Sequence, residues 1–473
     1  MTGQTRPDRG DRWLPSRLHA LRPSSRKSPL GRRLSVGAIV VSLALAGVGT
    51  ASFAEAAAKK ATKKTTAQTT AAKKAAAAKK AAAAKKAAAA KKAAAAKKAA
   101  AAKKAAAAKK AAVAKAAAAR PAVPTKPITL QILSINDFHG YLEPPSGQIT
   151  TSSGLVDAGG GEYLATQLND LRNGNPYSVT AGVGDFTGGS SALSAKYLDE
   201  PSIEAAKALK VEVSSVGNHE FDAGLSELLR MQYGGCNPSK GCFGGSTFSG
   251  ASFPYLAGNV LYKSGVTPKP PAGAKTYGSW YSARTGRTVF PSTWVKTVGG
   301  YKVGFVGLTL KDSGAHVKNS DGIKDITFVD EVSTSKLAVA DLRASGVKTI
   351  IGLIHEGGTT PTPDYDFTCQ DGKVLSGRIA ELAKELDPGI DVILSGHSHQ
   401  AFSCSIPDPS GQPRIVSAGS AFGRLITETT MTLDPKTQDV VRSSVKSKNH
   451  IVTRDGSKDA AMTAVLKKWQ NLG

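Results

Sequence analysis

Five times along this chain an apolar run ends in a polar tip that carries aspartate, histidine or asparagine. ITLQILSINDFHG ends with Asp137 and His139, YSVTAGVGDFTGG with Asp185, and VEVSSVGNHEFDAG with Asn218 and His219. TIIGLIHEGG carries His355, and DVILSGHSHQ carries His397 and His399. Short runs rich in valine and isoleucine, closed by glycine and polar residues, read as buried strands. Between them lie amphipathic patterns such as GEYLATQLNDLR and SGRIAELAKELD, which read as helices. Strands alternating with helices specify an α/β domain, in which ligand groups gather at the carboxyl ends of strands. The five tips are therefore expected to meet.

Taken singly, an Asp-x-His pair or a GNH triplet says little. The chain has 8 histidines, and five of them fall in these tips, while His19, His316 and His450 read as bystanders. One residue separates Asp137 from His139, so in an extended loop both side chains can turn toward one ion. Carboxylate, imidazole and one amide oxygen suit borderline divalent ions such as zinc or manganese, with calcium, magnesium or cobalt also compatible. The 4 cysteines form no CxxC pattern, which argues against a closed structural zinc site. They read as structural disulfides of an oxidising compartment, Cys236 with Cys242 and Cys369 with Cys404.

Together the segments DFH, GD, GNHEFD, HEG and GHSH resemble the calcineurin-like metallophosphoesterases. More narrowly they are similar to the metallophosphatase half of the secreted 5'-nucleotidases, with further likeness in FPYLAGNV, GYKVGFVGLTLKD and SAGSAFGRLITE. The resemblance implies a four-layer α/β/β/α sandwich of two mixed sheets flanked by helices. It implies two divalent ions, one held by Asp137, His139, Asp185 and His399, the other by Asp185, Asn218, His355 and His397. Two ions sharing Asp185 would stand about 3.5–4 Å apart and acidify a bridging water. His219 would protonate the leaving oxygen, oriented by Asp222, which can equally cap the helix that follows. Glu220 and Glu356 are expected behind the ligands or at the surface. Asn259 resembles a family position near the site and reads equally well as the turn after a strand.

Composition locates what surrounds this domain. The net charge is +26, yet residues 1–120 hold 29 Lys+Arg and 3 Asp+Glu, leaving 33 of each sign for the remainder. A fold that reads nucleic-acid grooves carries its charge within the folded part, so no sequence-specific nucleic-acid binding is expected. Residues 1–56 read as a signal peptide with a long basic leader, an apolar run from Val36 to Ala46 and cleavage after Ala56. An uncleaved membrane anchor is the alternative. Residues 57–124 form a Lys/Ala arm repeating KKAAAA, expected to be partly helical or disordered. Its lysines surround the helix and leave no apolar stripe, so it is a solvated spacer or a polycation for anionic envelope polymers or extracellular nucleic acid.

The phosphoesterase domain is expected over 125–450, followed over 451–473 by a helix with Met462, Val465, Leu466, Trp469 and Leu472 on one face. In the family such a helix leads into a second domain, so the sequence is expected either to be a piece of a longer protein or to pack this helix back on the metal domain without the family's base-binding site. The expected activity is therefore an exported phosphoesterase acting on small phosphate esters, with 5'-nucleotides first by analogy. Alternatives are a cyclic-nucleotide phosphodiesterase, a nucleotide-sugar hydrolase or a broad phosphatase. From another class comes an envelope-binding protein with an inert metal domain.

Overall fold

The computed structural model describes residues 124–151, 153–266, 288–370 and 372–472, and in the arm the helical, exposed residues 78–82, 85–86 and 91. The export signal expected over 1–56, and most of the arm, lie outside the described residues.

The strands are β1 (Ile128–Ile135), β2 (Gln148–Thr151), β3 (Gly154–Asp157), β4 (Ser178–Val183), β5 (Val213–Ser215) and β6 (Tyr255–Leu256). They continue as β7 (Val260–Tyr262), β8 (Thr293–Val298), β9 (Tyr301–Thr309), β10 (Ile326–Phe328), β11 (Thr349–His355) and β12 (Val392–Ser395). The last are β13 (Ala401–Pro407), β14 (Pro413–Gly419), β15 (Leu425–Asp434), β16 (Asp439–Val440) and β17 (Lys446–Ile451). One sheet runs β16-β15-β1-β4-β5-β6, with β17 also on β15, and a second runs β13-β14-β12-β11-β9-β8. Each is mixed. In the first, β1, β4, β5 and β6 are parallel and β15 antiparallel. In the second, β9, β11, β12 and β14 are parallel while β8 and β13 are antiparallel.

Side-chain alternation along the strands builds the layers. Leu130 and Ile132 of β1 face Ile351 and Leu353 of β11 in a core between the sheets. Their neighbours Leu133 and Ile135 turn outward to a core closed by Leu164, Leu168, Ile203 and Met231. On the other side Ile350 and Ile354 pack with Leu342, Ile379 and Leu382. Three apolar cores between four layers give the α/β/β/α sandwich, and each fully buried Leu or Ile contributes about 1.5–3 kcal/mol.

The longer helices are α1 (Gly161–Asn173), α2 (Glu200–Ala208), α3 (Leu225–Tyr233), α4 (Glu331–Ala344), α5 (Arg378–Glu385) and α6 (Ala460–Gln470). Helix α6 packs against α1 and α2. Met462, Leu466 and Trp469 are buried there, and Trp469 Nε1 donates to Glu204 at 2.9 Å. Asp459 caps its first turn, accepting from Met462 N at 2.9 Å. Both expected disulfides are present: Cys236–Cys242, and Cys369–Cys404, which ties a loop to β13 across 35 residues. Among the described residues no helix is long and apolar enough to cross a membrane.

Candidate metal centre

All five tips follow strands at the middle of the two sheets. Asp137 and His139 follow β1, Asp185 follows β4, and Asn218 follows β5. His355 ends β11, and His397 and His399 follow β12. Parallel alignment points these ends one way, so the structure brings all seven donors together where the sheets meet.

Five of the seven sit in left-handed backbone: Asp137 (φ 50°), His139 (47°), Asp185 (53°), His397 (70°) and His399 (57°). Such conformations are strained for residues with a Cβ and persist where the surroundings enforce them. Here the loops are laced to each other. Asp137 N donates to Gly184 O at 3.1 Å and His139 N to Asp185 O at 2.9 Å. His397 N donates to both carboxylate oxygens of Asp137 at 3.0 Å. Gly217 permits a close approach, since a Cβ there would lie 2.1 Å from Asp185 Oδ1.

The donors form two groups, Asp137 with His139 and His399, and Asp185 with His355 and His397. In the first, His139 Nε2 lies 3.2 Å from His399 Nε2, and Asp137 Oδ1 is 3.5 Å from the latter. In the second, Asp185 Oδ2 is 3.0 Å from His355 Nε2, and Asn218 Oδ1 is 2.9 Å from His397 Nδ1. Asp185 also reaches the first group, its Oδ2 3.9 Å from His139 Nε2.

Three observations fit this pocket to cations. His139 Nδ1 donates to Gly188 O at 2.6 Å and His355 Nδ1 to Val183 O at 2.7 Å. A carbonyl can only accept, so each ring turns the lone pair of Nε2 inward, the arrangement of metal-ligating imidazoles. His355 Nε2 is buried and faces the Asp185 carboxylate at 3.0 Å. Burial opposes charge on His355, yet Asp185 and Asp137 outweigh it and push the imidazole up to about 10. A site that draws a proton onto a buried ring demands positive charge, and a divalent cation meets that demand in its place. His397 and His399 are pushed down to about 4 by burial and by neighbouring histidines, leaving neutral donors at neutral pH.

Beside the donors, His219 Nδ1 lies 2.8 Å from Asp222 Oδ2. That hydrogen bond raises the imidazole above its ordinary value. Asp222 also meets Lys318, whose Nζ is 3.4 Å from Oδ2 and whose N–H donates to Oδ1 at 3.3 Å. His219, Asp222 and Lys318 line a cavity of about 410 Å³ with Gly188 and Gly189. Asp222 does not cap α3, which starts from Gly224 without a side-chain cap.

Glu220 proves to be the hub behind the ligands. Its buried carboxylate accepts from Asp185 N (2.8 Å), Phe186 N (2.7 Å), Thr187 N (3.2 Å) and Gly217 N (2.7 Å). Asn136 is a second support missed in the sequence, bonding Asp137 Oδ2 at 2.7 Å and receiving Gly419 N at 2.8 Å. His316, read as a bystander, stands with its ring 5.7 Å from that of His397. Asn259 is the turn residue of the two readings: it exchanges hydrogen bonds with the backbone of Thr309 and donates to Val329 O at 3.1 Å. Glu356 accepts from Gly357 N at 2.8 Å, and His450 pairs with Glu428 at 2.8 Å on β15 and β17.

Fold and donors together define a four-layer sandwich with two candidate metal-ligand groups at the strand tips. The chain belongs to the calcineurin-like phosphoesterase family, which it matches over residues 130–401. It is 30% identical over 354 residues to "Endonuclease YhcR" of Bacillus subtilis, covering 74% of this chain and 26% of that one. It is 32% identical over 352 residues to "Cell wall protein Lmo0130" of Listeria monocytogenes, covering 72% of this chain and 41% of that one. An "NAD 5'-nucleotidase" of Haemophilus influenzae matches at 27% identity, over 66% of this chain and 45% of its own. The chain thus spans between about a quarter and a half of these relatives. Among solved structures, a 5'-nucleotidase precursor from Thermus thermophilus shares the fold, with TM-score 0.52 and 22% identity, over 72% of this chain and 58% of that one.

Proposed function

We propose that this protein is an exported phosphoesterase that binds two divalent ions, zinc or manganese first, and removes the 5'-phosphate of nucleotides. Asp137, His139, Asp185 and His399 hold one ion, and Asp185, Asn218, His355 and His397 the other. Ions held there supply Lewis acidity to a phosphoryl group and lower the pKa of an attacking water. His219 keeps its proton through Asp222 and delivers it to the leaving oxygen, while Glu220 fixes the loops of Asp185 and Asn218. The observation that carries this reading is the carboxylate of Asp185 between two groups of inward-turned imidazoles, with the His219–Asp222 pair beside it.

Nucleotide substrates are supported by the nucleotidases among the relatives, and a place outside the cytoplasm by the cell-wall protein and the two disulfides. A phosphodiester substrate is the second reading, favoured by the endonuclease among the relatives. The basic arm is proposed to hold the enzyme to anionic polymers of the envelope.

The test is hydrolysis of AMP, a 2',3'-cyclic nucleotide, a nucleotide sugar and p-nitrophenyl phosphate, with products separated by chromatography, in the presence of manganese or zinc and after chelation. Metal-dependent release from AMP that collapses in His219→Ala supports the proposal. A preference for opening the cyclic ester to the nucleoside monophosphate replaces it with the second reading, and metal-independent or absent hydrolysis of every substrate sinks both.

A further inference from the structure

We infer that Tyr141 and Phe422 form a stacking platform for the nucleobase at the edge of the first donor group, so that base recognition begins within this domain. The inference rests on the nucleotide reading above.

Phe422 lies in the loop between β14 and β15, where Ser420 (φ 56°), Phe422 (62°) and Gly423 (67°) are all left-handed. A bulky side chain seldom occupies that region, and strain of this kind gathers where geometry serves a ligand. What the strain achieves is visible. Phe422 N donates to Asp137 O at 2.7 Å, which locks the loop to a proposed metal ligand. The Phe422 ring then stands 5.1 Å from that of His399 and 5.7 Å from that of His139.

Tyr141 comes from the opposite loop, two residues beyond His139, and its ring centroid is 4.4 Å from that of Phe422. Arg424 places its guanidinium 4.9 Å from the Phe422 centroid, a cation that polarises the aromatic pair. Both rings are only half-buried, which leaves aromatic surface open beside the donors. His139 touches the His219 ring at 5.2 Å as well as that of Phe422. The acid and the aromatic pair therefore share one neighbour, and a phosphate between His139 and His219 brings a base joined through one sugar within reach of the pair. Stacking on aromatic rings accepts every base through its π-face, so the platform suits purine and pyrimidine nucleotides alike.

Two substrates isolate the base. AMP and ribose 5-phosphate share the phosphate and the sugar, and only AMP can stack. The measurement is the ratio of their kcat/KM values in the full chain with manganese, for the wild type, Tyr141→Leu, Phe422→Leu and Phe422→Trp. The expected result is a wild-type preference for AMP that falls roughly tenfold in both leucine variants and survives in Phe422→Trp.

If Phe422 only shields the histidines from water, both substrates lose equally, the ratio stays constant and the inference is overturned. A wild type that handles the two substrates alike also overturns it while leaving the phosphoesterase reading intact. Absence of turnover with either substrate sinks that reading instead. Calorimetric titration of AMP against ribose 5-phosphate on the same variants then decides the platform without catalysis.

Discussion

His219 and Glu220 are neighbours in the chain and face opposite ways. His219 is partly open to the cavity and hydrogen-bonded to Asp222, whereas Glu220 is turned inward onto four backbone amides. Replacing His219 with alanine is expected to lower kcat by about 10²–10⁴, measured as phosphate release at saturating substrate. The hydrogen bond to Asp222 raises the His219 pKa, so the protonated acid is present below that value and is lost as pH rises through it. Asp222→Asn removes the chief cause of the shift. The alkaline limb of the kcat profile should then move to lower pH, and an unmoved limb would remove His219 from the role of acid. Glu220→Ala leaves buried amides without acceptors at roughly 1–3 kcal/mol each. The expected outcome is a thermal midpoint many degrees lower and loss of metal binding, read by calorimetry and by metal content. His219 and Asp222 were expected together because GNHEFD resembles the family's motif. The acceptor role of Glu220 depends on amides brought from another loop, and no local pattern carries that information.

At the scale of elements, the strand tips were legible because a short β-rich run followed by glycine and polar residues is a local signal, and so was the α/β alternation. The strand-to-turn character of Asn259 was one of two readings, and its ring of hydrogen bonds to Thr309 and Val329 gives the reason for it. The nearness of His316 to His397 could not be read, because it depends on how the segment after β9 meets the loop after β12. Left-handed backbone at Asp137, His139 and Phe422 is equally silent in sequence, since each side chain can be placed in a loop without it. Gly217 tests how tightly the elements are fitted. A methyl there would stand 2.1 Å from Asp185 Oδ1, so Gly217→Ala is expected to reduce metal affinity at least tenfold. Far-ultraviolet circular dichroism should stay unchanged, and full metal retention by the variant would refute the close-approach argument. Helix α6 offers a second test. Trp469 is 1% exposed, and its truncation to alanine should cost about 3–5 kcal/mol, measured by denaturant unfolding.

For the whole molecule, the uneven charge predicts separable behaviour. The net charge of +26 resides in residues 1–120, so attachment to an anionic polymer should weaken steeply with salt. Deleting residues 57–124 should abolish that attachment and leave kcat/KM for soluble substrate unchanged; polymer retention by the truncated protein would locate the adhesive surface in the folded domain. The placement of the donors has a further consequence. Each of the two groups draws on both sheets, Asp137 and His139 meeting His399, and Asp185 meeting His355 and His397. An ion bound there clamps the halves of the sandwich together, and saturation at a hundred times Kd adds about 2.7 kcal/mol per site. Chelation should therefore lower the thermal midpoint as well as abolish turnover. A chain that has folded only one sheet possesses neither group complete, so neither ion would be held until both sheets are in place.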